Sequence, residues 1–142
     1  MIALYLNIAE ALSEIPALKF IDMKGGEDPN IFPAALVSFD PLNHEQLPKG
    51  STQADIRFTV NVKFSPYLRS EGKGTPKEQL LALREQTNVI EIIKSRLVEN
   101  DVEGIFGIML AREHAQKKGT DYEVPLTFYG RVEWSPDTVS LA

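Results

Sequence analysis

Between Asp55 and Phe64 the chain alternates without a break: Ile56, Phe58, Val60, Val62 and Phe64 are apolar, and Asp55, Arg57, Thr59, Asn61 and Lys63 between them are polar or charged. Successive side chains of a strand point to opposite faces, so this run makes a strand with one dry face and one wet face. Strands of a parallel sheet sandwiched between helix layers are apolar on both faces. The alternation therefore selects an antiparallel or mixed sheet that is covered on one side only.

The other periodic segments fall around this strand in a definite order. Ile2, Tyr5, Ile8, Ala9, Leu12 and Ile15 recur at helical spacing and predict a helix that ends at Pro16. Leu18–Met23 reads as a short strand leaving into the turn formers Gly25-Gly26-Glu27-Asp28-Pro29-Asn30, and Ala34–Phe39 reads as a second strand between Pro33 and Asp40-Pro41. After the alternating strand and a polar loop from Ser65 to Gly74, Thr75-Pro76-Lys77-Glu78 starts another helix. Thr75 caps it, proline suits its first position, and Glu78 completes a capping box. Leu80, Leu83, Thr87, Ile90, Ile93 and Leu97 form its expected buried stripe.

A hairpin closes the chain. Ile105–Ala111 and Tyr122–Trp134 are its strands, and Gln116-Lys117-Lys118-Gly119-Thr120 is its exposed tip. Tyr122, Val124, Leu126, Phe128, Val132 and Trp134 take one face of the second strand, with Glu123, Thr127, Tyr129, Arg131 and Glu133 on the wet face. Pro125 lacks a ladder N–H, which predicts an edge or a bulge there, and Gly130 marks another possible bulge. The expected architecture is a single α+β domain over residues 1–142, in the order α-β-β-β-α-β-β. It has a mixed, mainly antiparallel sheet of about five strands, two helices packed on one face, and a loose tail from residue 135 to 142.

Composition narrows the function classes. With no cysteine, thiolate metal sites, disulfides and cysteine nucleophiles are excluded. The net charge of −5 disfavours nonspecific binding to a phosphate backbone, and no run of apolar residues is long enough to span a bilayer. The N-terminal residues lack a basic region, which argues against a signal peptide and for synthesis in cytoplasm. The expected partners thus include no membrane and no specific nucleic acid.

No constellation of residues spells out a reaction. His44 has no second histidine one helical turn away, and His114 lies far along the chain, so an exposed loop histidine is the plainer reading than a metal ligand. Glu27-Asp28 and the Glu99, Asp101 pair sit among turn formers and read as surface acids. Gly72-Lys73-Gly74-Thr75 has the composition of a phosphate loop, but Gly74 separates the lysine from the hydroxyl residue. The expectation is a protein with no catalytic residues, no cofactor and no metal.

Interface residues are the remaining candidates. Tyr67, Arg69 and Lys73 lie on the long loop, which is either a solvated loop or a docking arm. Lys117 and Lys118 lie at the hairpin tip, and Tyr129 and Arg131 lie on the wet face of the last strand. Tyrosine and arginine are enriched where interfaces carry most of their energy.

The segment Gln53-Ala54-Asp55-Ile56-Arg57-Phe58-Thr59-Val60-Asn61-Val62, the helix from Thr75 to Leu97 and the returning strand Tyr122-Glu123-Val124-Pro125-Leu126-Thr127-Phe128, in this order, resemble the tail-terminator and tail-completion proteins of long-tailed bacteriophages and prophages. The resemblance spans nearly the whole chain as a pattern. It implies a small α+β structural subunit of the virion tail, assembled in the host cytoplasm as a hexameric ring of copies of itself. Such a ring halts growth of the tail tube and joins the tail-tube protein to the head connector. The alternatives are a small α+β enzyme or ligand-binding domain with a pocket between helix and sheet, and an adaptor that adds a strand to a sheet edge.

Overall fold

A computed structural model of the chain describes residues 2–25, 29, 31–40, 53–64, 76–114, 116–118 and 121–133. The alternating segment is the middle of the sheet. The elements in chain order are α1 (Ile2–Ser13), β1 (Phe20–Met23), β2 (Ala34–Phe39), β3 (Gln53–Phe64), α2 (Pro76–Lys94), β4 (Phe106–Glu113), β5 (Gln116–Lys118) and β6 (Asp121–Glu133), and α2 runs on into a π-helical turn at Ser95–Glu99. The strands lie in the order β1-β2-β3-β6-β4, with β5 also paired to β6. β1 and β2 are parallel and every other pairing is antiparallel, so the sheet is mixed and mainly antiparallel.

The dry face of β3 is the floor of the core. Ile56, Phe58, Val60, Val62 and Phe64 are all buried, as are Val124, Leu126, Phe128 and Val132, their neighbours on β6. The Phe58 and Phe128 rings stack with centroids 5.3 Å apart, an arrangement that adds about 0.5–1.5 kcal/mol to the burial of the two rings. Leu4, Ile8 and Leu12 of α1 and Ile90 and Ile93 of α2 join the same cluster, so both helices cover the same face of the sheet.

Several expectations are corrected in detail. α1 buries Leu4, Ile8, Ala11 and Leu12 and leaves Ile2 exposed. The helix is turned this way because Leu4 packs at the Glu103-Gly104 turn, where the Asn7 carboxamide donates to the Glu103 carbonyl at 2.9 Å. On α2 the stripe holds only from Ile90 onward. Gln86, Val89, Ile90 and Ile93 are buried, but Leu80, Leu83 and Thr87 are exposed. Leu83 and Thr87 line an open gap of about 90 Å³ together with Phe64, Tyr122 and Val124, so the sheet does not close against this part of the helix.

The closing hairpin also differs. Lys117 and Lys118 form part of a short sixth strand, β5, opposite Tyr122 and Asp121, next to the two residues that connect the hairpin. Pro125 lies in β6 between β3 and β4, not at an edge. Its carbonyl accepts from the His114 N–H at 3.3 Å, but it has no N–H to return, and the pairing along β6 breaks there, between Glu113 of β4 and Gln116 of β5. Gly130 pairs regularly with Ile56 on the β3 side but lies opposite the first bulge of β4, between Phe106 and Met109, as expected; a second bulge lies between Leu110 and Arg112. Trp134, the tail from residue 135, the capping residue Thr75 and the acids Glu27 and Asp28 lie outside the described residues.

Candidate interaction surface

With the helices filling one face, the opposite face of the sheet carries the chemistry that the core does not use. Register sets its side chains in rows across the strands. One row runs Phe106, Arg131, Asp55; the next runs Met109, Tyr129, Arg57; a third runs Arg112, Thr127, Thr59, Ser38. The bulge between Phe106 and Met109 creates the apolar end of this surface. Residues three apart in a regular strand point to opposite faces, and the extra residue of the bulge brings both side chains to the same one. Gly107 makes this possible with a φ of 61°, a conformation that side-chain-bearing residues rarely adopt.

Phe106 and Met109 are 59% and 61% exposed and lie side by side on this face. They rim a shallow depression of about 520 Å³ that Asp55, Tyr129, Gly130 and Arg131 also line. The arginines beside it are held in place. The Arg57 guanidinium lies 4.6 Å from the Tyr129 ring centroid and donates to the Tyr129 hydroxyl, and its Nε is 3.6 Å from Asp40. Arg131 Nε reaches Asp55 Oδ1 at 3.4 Å. Exposed ion pairs contribute only about 0–1 kcal/mol each, so their effect here is to fix side-chain directions in advance of a contact.

Farther along the same face the wet pattern fails at one position. Glu123 is only 5% exposed, against the expectation of a solvated acid. Its carboxylate is 3.4 Å from the Lys63 ammonium and accepts from the Asn61 carboxamide at 3.4 Å, and Asn61 Oδ1 is buried without a partner. Burial of a carboxylate requires such compensation.

Of the residues singled out from sequence, Tyr129 and Arg131 lie together in the exposed patch. Tyr67, Arg69 and Lys73 lie outside the described residues, as does His44, and Lys117 and Lys118 are placed in β5 by their backbone alone. Sequence reasoning missed Phe106, Met109 and Arg57. The first two belong to a nearly continuous apolar run whose facing cannot be assigned until the bulge is known.

Other chemistry is sparse. His114 is exposed at the end of β4, and among the described residues no three His, Cys, Asp or Glu side chains converge as a metal site would require. Lys94 spans α2 and β4, 2.9 Å from Glu91 and 2.7 Å from Glu113. Burial opposes its charge, but the hydrogen bonds to Glu113 and Glu91 and their charges outweigh that cost and raise its pKa above the ordinary lysine value. Burial, and secondarily the charge of Asp22, raises the pKa of Tyr5. A crevice of about 450 Å³ opens between α2 and the Phe32-Pro33 segment; Glu85 is the one ionisable group among its described lining residues. No helix of the described residues is long and apolar enough to cross a membrane.

No protein-family model and no curated protein matches the chain. Its fold is similar to that of a chain in the virion of a native gene transfer agent (GTA) particle, with a TM-score of 0.50 and 18% sequence identity over 92% of this chain and 91% of that one. At that identity the likeness is one of fold alone.

Proposed function

We propose that this protein is a structural subunit of a phage-like virion, without catalytic activity, and that it forms a ring, most simply a hexamer, at the end of a tail tube. There it stops tube growth and offers a surface to the head connector. The observation that carries this reading is the fold shared across nearly the full length of both chains with a component of a gene transfer agent virion. The order of elements, with a strand running into a long loop and a closing hairpin, supports the same reading through its resemblance to tail terminators. A ring subunit needs a rigid body and fixed surface groups that meet a neighbour, and the held arginines and protruding Phe106 and Met109 supply such groups.

The test is to mix the purified protein with tail tubes of its own particle and to view them by electron microscopy. Tubes of uniform, shortened length with a ring at one end are the expected result. Tubes that lengthen without limit at saturating protein, with no ring at their ends, refute the terminator role. Turnover of esters, phosphoesters or nucleotides that is lost on His114→Ala would shift the reading to an enzyme.

A further inference from the structure

The outer sheet patch has a counterpart on the opposite side of the same chain. α1 buries Leu4, Ile8, Ala11 and Leu12 against the inner face of the sheet. Ile2, Leu6, Glu10 and Ser13 lie about half a helical turn away, so they form a stripe that points outward from the helical layer. Ile2 and Leu6 are 52% and 57% exposed, close to the exposure of Phe106 and Met109 on the sheet face. Two exposed apolar pairs thus face away from each other across the helix and sheet layers.

Their charges differ in sign. Among the described side chains around Phe106 and Met109, the arginines Arg57, Arg112 and Arg131 outnumber the acids Asp40 and Asp55. Two of those arginines are engaged by the acids, which leaves a surplus positive charge at Arg112. On α1 the stripe continues from Ile2 and Leu6 to the exposed acid Glu10, while Glu14 is engaged by Arg96. An apolar strip with a cationic margin on one side therefore matches an apolar strip with an anionic margin on the other. β4 is not suited to receive an added strand, because two bulges and the left-handed Gly107 break its outer edge. Docking by side chains on its face is the alternative that remains.

We propose that the Phe106, Met109 and Tyr129 patch of one copy receives the Ile2, Leu6 and Glu10 stripe of α1 from a second copy. Because the two surfaces differ, the contact is head-to-tail, and such a contact gives a ring where the rotation between copies closes and an open filament where it does not. This deepens the ring reading above and rests on it for closure, but the contact itself is a property of the protein alone.

The absence of cysteine from the chain makes the test free of background thiols. Leu6→Cys and Met109→Cys variants, each exposed and outside the core, are mixed at raised concentration under mild oxidation. The expected product is a cross-link between one variant and the other, well above the yield for Met109→Cys mixed with Ile92→Cys, an exposed α2 position off the stripe. The double variant Leu6→Cys/Met109→Cys should give a covalent ladder that stops at the ring size. Cross-links that join Met109→Cys chains mainly to each other, or a mixed yield no higher than the Ile92→Cys control, overturn the proposal. Tubes capped by rings without the Leu6–Met109 cross-link would sink this contact and leave the terminator reading standing. A closed ladder with uncapped tubes would do the reverse.

Discussion

Gly130→Ala isolates one close approach on which the junction of β4 and β6 depends. Gly130 pairs with Ile56 and faces the core, and a methyl group built on it would lie 2.5 Å from Ile105 Cγ2, with Ile108 Cγ1 at 3.5 Å and the Phe106 carbonyl at 3.7 Å. Ile105 is only 4% exposed, and its Cγ2 sits on a stiff, β-branched carbon, so it cannot swing aside as the end of a long side chain would. Overpacking of this kind costs about 1–3 kcal/mol. Replacing glycine also restricts the unfolded chain and returns about 0.4–1 kcal/mol, so mid-range values leave a net destabilisation of about 1 kcal/mol. Urea denaturation should show a lower midpoint with an unchanged slope. Ile105→Ala removes the obstructing methyl, and although that substitution alone should cost about 2–5 kcal/mol, the double variant should be less destabilised than the two single costs combined. A midpoint unmoved by Gly130→Ala, or strict additivity in the double variant, would refute the steric argument.

Two other outcomes follow from burial and charge. Ile93→Ala should destabilise the protein by about 2–5 kcal/mol, whereas Leu83→Ala, on the same sequence stripe but 53% exposed, should change it by less than about 0.5 kcal/mol; comparable midpoints for the two variants would contradict the placement of α2. Because the Lys94 pKa is raised in the folded protein by Glu113 and Glu91 against the opposing effect of burial, its contribution is fully present below the ordinary lysine value of about 10.4 and is lost as pH rises through the higher folded value. The stability difference between the wild type and Lys94→Met should therefore be flat near neutral pH and shrink only in strong alkali; a difference that grew with pH would count against the Lys94 pairing.

Local pattern was enough for the elements whose apolar period is long and unbroken. The alternation of Asp55–Phe64 determined which side of β3 is dry, and with it that the sheet has one covered face, since a slip of a single residue would reverse every side chain. Likewise Ala34–Phe39 is bounded where its flanking prolines and aspartate place it, and Tyr129 and Arg131 were legible as wet-face residues from the alternation in β6.

Tertiary contacts decided what lies beneath and beside those elements. Leu83 and Ile93 fall on one helical stripe, but only Ile93 is packed into the core, and no local period encodes how closely a helix approaches the sheet beneath it. Glu123 alternates as a solvated acid and is nevertheless buried against Lys63 and Asn61, because its surroundings come from a neighbouring strand far away in sequence. Phe106 and Met109 share a face only because a bulge shifts the register of β4 against β6. That shift depends on how a strand meets its partner, an interaction that the period of either strand taken alone does not contain.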